Sequence, residues 1–234
     1  MRLIVENVKK SFGQQQVLKD LNFTFEQGRI YGLLGKNGAG KTTLFNCMSD
    51  ELKVDEGCFL LEENGQSRAL SHGDIGYVYS TPVLPEFMTG YEFIYFYMRI
   101  NKDKISNVKD VDYYFEQVEM EEADRHKLMR QYSMGMKSKI QIMMVMISQP
   151  KVILLDEPLT SLDVVVAYAI KQILLSMKEE HIIIFSTHIM QLAIDLCDDI
   201  VVLQDGFFLD ARMDKLHAED MEKQLMLIFE GQDA

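Results

Sequence analysis

Apolar and polar positions follow two rhythms along the chain. Val17–Phe25 alternates between them, as a half-buried antiparallel strand does, and Leu3–Val8 reads as a strand before it. Arg29–Leu34 is a short apolar run that enters a glycine-rich loop, and Lys41–Ser49 follows as a helix. Cys58–Leu61 and Ile75–Tyr79 read as further short strands. From Phe87 to Ile147 the strand signals stop, and the chain is helical and rich in Met and Tyr. Strands return at Lys151–Leu155, Ile182–Phe185 and Ile200–Leu203, with helices at Asp163–Lys178 and Ile189–Leu196 between them. Met213–Phe229 reads as a terminal amphipathic helix. The alternation predicts an α/β fold with a mostly parallel sheet, interrupted by a helical insertion.

The 234 residues fit one domain with a sizeable insertion: a core over 1–82 and 148–212, the insertion over about 83–147, and a final helix over about 213–229. Hydrophobic residues make up 47% of the chain, enough for a substantial core. The net charge of −12 argues against nucleic acid as a partner, because phosphate backbones select for excess Lys and Arg. Cys47, Cys58 and Cys197 are scattered and lack metal-ligand spacing, so they read as reduced thiols. No leader is visible, and the longest apolar runs are far below the ~20 residues that cross a bilayer. A role at a membrane would therefore be exercised from the cytoplasmic side, through a separate spanning protein.

Gly35-Lys36-Asn37-Gly38-Ala39-Gly40-Lys41-Thr42 matches G-x-x-x-x-G-K-[ST], between a strand and a helix. Glycines there let successive backbone N–H groups turn inward as an anion nest, and the helix N-terminus adds positive potential. Lys41 reaches β- and γ-phosphates, Thr42 offers a hydroxyl to Mg2+, and Thr43 lies near an α-phosphate. The loop points to bound ATP with Mg2+. A second constellation is the apolar strand Val152–Leu155 ending in Asp156-Glu157. Adjacent carboxylates at a strand end are costly unless a cation meets them. After a phosphate loop, Asp156 reads as the magnesium carboxylate and Glu157 as the general base for water. His188 ends the next apolar strand; on spacing alone it reads equally as a structural histidine and as a γ-phosphate contact.

Taken together, these residues resemble the ATP-binding subunit of an ABC transporter of the bacterial export-like type. The resemblance implies a P-loop NTPase core, RecA-like, with an antiparallel N-terminal β subdomain and an inserted helical subdomain. Tyr132-Ser133-Met134-Gly135-Met136-Lys137 falls where the family carries its Leu-Ser-Gly-Gly-Gln signature, and opens an apolar helix read as Ser138–Ile147. Ser133 and Gly135 match it, which implies contact with the γ-phosphate of ATP held by a second subunit; Tyr132, Met134 and Met136 depart from it. By the same resemblance Ser161-Leu162-Asp163 is the loop that crosses the dimer, His188 is the switch histidine, and Phe12 stacks on adenine. Where the family places a Gln after Ile75–Tyr79, this chain has Ser80, which implies slow or partner-dependent hydrolysis.

The resemblance further implies a homodimer or heterodimer that sandwiches two ATP molecules and drives a membrane permease. Such a subunit lies peripherally on the inner face of the cell membrane. Pro82–Arg99, which holds Phe87, Met88, Tyr91, Phe93, Tyr95, Phe96 and Tyr97, is the expected docking segment, most of its aromatics being core. Export is suggested by the signature variant, by Ser80 and by the short stretch after the last strand. The alternatives are a soluble ABC-type switch and a weakly hydrolysing ATP-sensing module.

Overall fold

A computed structural model describes residues 1–102, 109–158 and 164–211. The expected loop Ser161–Asp163 and terminal helix Met213–Phe229 lie outside the described residues. The chain opens with β1 (Arg2–Phe12) and β2 (Gln15–Glu26), both longer than their sequence patterns predict. With β4 (Glu56–Glu63) and β5 (Gln66–Ala69) they form an antiparallel sheet in the order β2-β1-β4-β5. A second sheet combines β3 (Arg29–Leu34), β6 (Ile75–Val78), β7 (Val152–Asp156), β8 (Ile182–Thr187), β9 (Asp199–Gln204) and β10 (Phe207–Ala211). Its order is β10-β9-β3-β8-β7-β6, parallel throughout except for β10.

Strands β7 and β8 are buried on both faces, which is why they read as continuous apolar runs rather than as alternations. Ile153, Leu155, Ile183 and Phe185 face the helical side, while Val152, Leu154, Ile182 and Ile184 face the antiparallel sheet. Each such side chain contributes about 1.5–3 kcal/mol by leaving water. The two cores grip the second sheet from opposite sides and hold its C-terminal edge in register.

Helix α1 (Lys41–Met48) follows β3. Between β6 and β7 lie α2 (Gly90–Ile100), α3 (Val111–Gln117), α4 (Glu122–Arg125) and α5 (Met134–Ser148). Helices α6 (Val164–Met177) and α7 (Met190–Leu196) join the later strands. Thr89 caps α2 through a reciprocal capping box with Glu92. Helix α5 begins four residues earlier than Ser138, the start expected from its apolar run. Ser133 is the reason: its hydroxyl accepts the Met136 N–H at 3.2 Å and starts the helix within the motif itself. Gln149 in the left-handed region ends it. Among the described residues, no helix is long and apolar enough to cross a membrane.

Candidate functional site

A parallel sheet places catalytic groups at the C-terminal ends of its strands, and this one brings three ends together. Leu34, the last residue of β3, is in register with Thr187 of β8, and Asp156 of β7 is in register with Ser186. The phosphate loop, the acidic pair and His188 therefore leave one edge side by side.

The loop after β3 needs its glycines. A Cβ on Gly35 would stand 2.8 Å from the Leu203 carbonyl oxygen. Gly40 has φ 107, and a Cβ there would press on Val17 and Leu18 at 3.0 and 3.1 Å. Gly40 is also the residue that precedes α1, and no side chain caps the helix, so the first-turn N–H groups of α1 point at an anion site. Lys41 is buried and donates to the carbonyls of Gly35 (2.8 Å) and Lys36 (3.3 Å). Its Nζ lies 3.5 Å from Glu157 Oε1.

Thr42 Oγ1 donates to Asp156 Oδ2 at 2.8 Å. A hydroxyl and a buried carboxylate held this close are the hard oxygen donors that magnesium takes alongside substrate phosphates and water, so the residues present fit that ion. Glu157 follows with φ 48, a left-handed conformation that costs a side-chain-bearing residue about 1–2 kcal/mol. Two bonds hold it there: its N–H donates to the Ser186 carbonyl (3.2 Å) and to Ser186 Oγ (3.0 Å). The His188 ring nitrogen Nδ1 sits 3.1 Å from Glu157 Oε1.

Ser186 is a member of the candidate site that the sequence reading does not include. It is fully buried, donates to Asp156 Oδ1 at 2.6 Å and receives the Glu157 N–H, so one hydroxyl fixes both carboxylates. The signal was there: a small polar residue directly after the apolar run Ile182–Phe185, two places before His188.

A cleft of about 310 Å³ is lined by Phe12, Val17, Asn37, Gly38, Gly40, Lys41, Thr42, Thr43 and Glu157. Phe12 ends β1, is half exposed, and carries the Lys10 ammonium 5.5 Å from its ring centroid. The structure thus brings Phe12, the loop, Asp156, Glu157 and His188 to one place. Ala39 stays inside the loop, its N–H donating to the Lys36 carbonyl. Ser133 and Gly135 stand apart, at the exposed start of α5. Among the described residues no hydrogen bond or ion pair links them to the loop or to Asp156 and Glu157. Met134, beside them, is 41% exposed. Tyr132 departs from the signature for a structural reason: it is buried, and its hydroxyl donates to the Asp124 carbonyl. Ser80 lies exposed two residues after β6.

Comparison with known proteins gives the family and the fold. The family model described as ABC transporter matches residues 18–160. YhcH of Bacillus subtilis (strain 168), an uncharacterized ABC transporter ATP-binding protein, is 30% identical over 220 residues, 89% of this chain and 68% of the relative. The structure of an ATP-binding subunit of an ABC transporter superposes with a TM-score of 0.80 at 22% identity, covering 97% of this chain and all of the other. The structure of cbiO1 from Clostridium perfringens, described as part of the ABC transporter complex cbiONQ, has a TM-score of 0.75 at 25% identity and covers 97% of this chain and 94% of that one. The fold is that of an ABC ATPase cassette, a P-loop NTPase core, and the chain belongs to the ABC transporter family as an ATP-binding subunit.

Proposed function

We propose that this chain hydrolyses ATP as the motor subunit of an exporter, working as a head-to-tail dimer on a separate membrane permease at the inner face of the cell membrane. One observation carries the reading: Lys41, Thr42, Asp156, Glu157 and His188 converge on one sheet edge through strand register. A structural lysine or a solvated acidic turn needs no such convergence.

In this reading the loop Gly35, Asn37, Gly38, Ala39, Gly40, Lys41, Thr42 and Thr43 binds the phosphates, and Phe12 stacks on the base. Thr42 and Asp156 hold magnesium, which when bound polarises the phosphoryl oxygens and balances developing charge. Glu157 orients the attacking water and takes its proton. His188 holds Glu157 Oε1 in place and is near enough to reach a γ-phosphate, while Lys41 neutralises phosphate charge. Ser133 and Gly135, at a helix N-terminus away from this cleft, act on the nucleotide of the partner subunit. Each subunit thus supplies half of two sites. The cbiO1 cassette's place in a complex supports a permease partner here too. Export rests on the signature variant Tyr132–Met136 and on Ser80.

The docking surface is the groove between the core and helices α2 and α5, a cleft of about 340 Å³ whose lining includes Tyr79, Tyr97, Ile100, Gln141 and Met144. Phe87, before α2, and Tyr95 and Phe96, on α2, are exposed. Glu157→Gln keeps the size of the side chain and removes the base, so it should trap an ATP-bound dimer, read by size-exclusion chromatography with and without ATP-magnesium. A chain that stays monomeric under both conditions refutes the composite site.

A further inference from the structure

Tyr79, the residue before Ser80, is held from two sides by contacts that the reaction above does not use. From α5, the buried side chain of Gln141 meets the Tyr79 backbone twice. The Tyr79 N–H donates to Gln141 Oε1 at 3.0 Å, and Gln141 Nε2 donates to the Tyr79 carbonyl at 3.0 Å. The amide imitates a strand partner just where β6, the outermost strand of its sheet, ends. Around it on α5, Ile140, Ile142, Met143 and Val145 are all buried. A primary amide in such company is costly unless both its ends are satisfied, and here one backbone residue satisfies both. An apolar side chain of equal volume would fill the space but leave the Tyr79 N–H and carbonyl without these partners, so the amide fixes the backbone at Tyr79 as well as filling space.

From the core side, the Tyr79 ring stacks on Tyr77 with centroids 4.1 Å apart and planes 21° from parallel. The Tyr79 hydroxyl donates to Glu51, and the Tyr77 hydroxyl donates to Asn46 Oδ1 at 3.1 Å. Asn46 lies on α1, whose first two residues are Lys41 and Thr42. Helix α5 carries Ser133 at its start and Gln141 two turns further on. It packs so closely on β6 that a Cβ on Gly76 would stand 3.2 Å from Val145. One rigid helix therefore joins the signature to Tyr79, and two stacked rings join Tyr79 to the phosphate-loop helix.

We infer that Gln141 is a positioning residue, which ties the seating of the signature helix on a second subunit to the geometry of the phosphate loop through Tyr79, Tyr77 and Asn46. The inference rests on the composite dimer proposed above. Its test uses Gln141→Met, which keeps length and volume and removes both amide bonds. It is made in the unsubstituted chain and in the Glu157→Gln background.

Monomer affinity for ATP should stay within about two-fold, because Gln141 does not touch the nucleotide cleft. The ATP concentration for half-dimerisation in the Glu157→Gln background should rise about five-fold or more, and kcat in the unsubstituted chain should fall by a similar factor with KM unchanged. Tyr77→Phe, which cuts the bond to Asn46, should act in the same direction and add little on top of Gln141→Met.

A lower melting temperature with unchanged half-dimerisation and kcat overturns the inference, since that is what a merely structural glutamine would give. Full additivity with Tyr77→Phe overturns it too. Glu157→Gln alone failing to dimerise removes the composite site itself, and the inference with it. If Gln141→Met does not fold, Gln141→Asn, too short to make both bonds, gives the same readouts.

Discussion

Ser186 occupies the most consequential side-chain position that the amino-acid pattern hides. It sits in a strand of three isoleucines and a phenylalanine, fully buried, where a bare hydroxyl would cost about 1–3 kcal/mol if unpaired. It is paired twice, with Asp156 Oδ1 and the Glu157 N–H. Ser186→Ala should therefore lower stability by about 1–3 kcal/mol and also loosen Glu157, which would keep only its bond to the residue-186 carbonyl. Turnover should drop about ten-fold or more at saturating ATP, because a base displaced by a fraction of an ångström loses its alignment, while ATP affinity changes little. Steady-state ATPase kinetics with equilibrium nucleotide binding check this; a fall in stability with full turnover rejects the positioning role. Lys41, Thr42, Asp156 and Glu157 were legible because their chemistry is written in contiguous motifs. Ser186 was not, because its partners lie across a strand register, and register is set by the packing of whole strands.

At the scale of elements, the fully buried strands were the readable ones. β7 and β8 declare themselves as apolar runs, and β3 as the run into the glycine loop. β5 was invisible, since Gln66–Ala69 is exposed along its whole length and carries no periodic signal. β10 follows a tight turn at Asp205 and Gly206, both at positive φ, and the sequence reading assigns no element to it. The start of α5 was misplaced because the capping residue Ser133 lies inside the signature rather than at the edge of the apolar run.

The short segment between β5 and β6 shows what local electrostatics adds. The Arg68 guanidinium makes two 2.6 Å bonds to Asp74, and the Ser71 hydroxyl and N–H add two more. Arg68 first, and then Ser71, hold the Asp74 carboxyl well below the usual carboxylate range. A carboxyl depressed in the fold stabilises it fully above the unfolded value of about 3.9, and that contribution is lost as pH falls through the lower folded value. Asp74→Asn should cost about 2 kcal/mol at neutral pH. The gap in melting temperature between the two proteins should narrow progressively below about pH 4, as the unfolded chain binds the proton that folded Asp74 refuses. Thermal unfolding from pH 7 down to the acid limit measures the gap; a constant gap would mean that the ion pair does not carry the stability.

For the whole molecule, the issue is how an ATP site would reach a membrane. No described helix is long and apolar enough to span one, and the proposed permease would be met at a surface. Helix α2 divides its residues between core and solvent. Ile94 is fully buried and Met98 nearly so, while Tyr95 and Phe96 point out at about half exposure. Ile100 at the end of the helix and Phe87 before it are more exposed still, and Arg99 lies over the Tyr95 ring. Isolated exposed aromatics are ordinary, but several on one helix and the segment before it suit the proposed permease contact. The aromatic richness of Pro82–Arg99 was legible in the sequence, yet which rings face outward was not, because that depends on how α2 rolls against α5 and α3. Phe96→Asp should leave the melting temperature nearly unchanged, since a surface substitution is typically worth no more than about 0.5 kcal/mol, and ATP affinity should hold. Ile94→Asp, one turn of thought away in sequence but inside the core, should unfold the chain by burying an unpaired charge. The two variants separate docking from folding when native membranes are incubated with the purified chain and sedimented. Phe96→Asp should remain in the supernatant while still binding ATP, and if it sediments as fully as the unsubstituted chain, the α2 face is not where the permease docks.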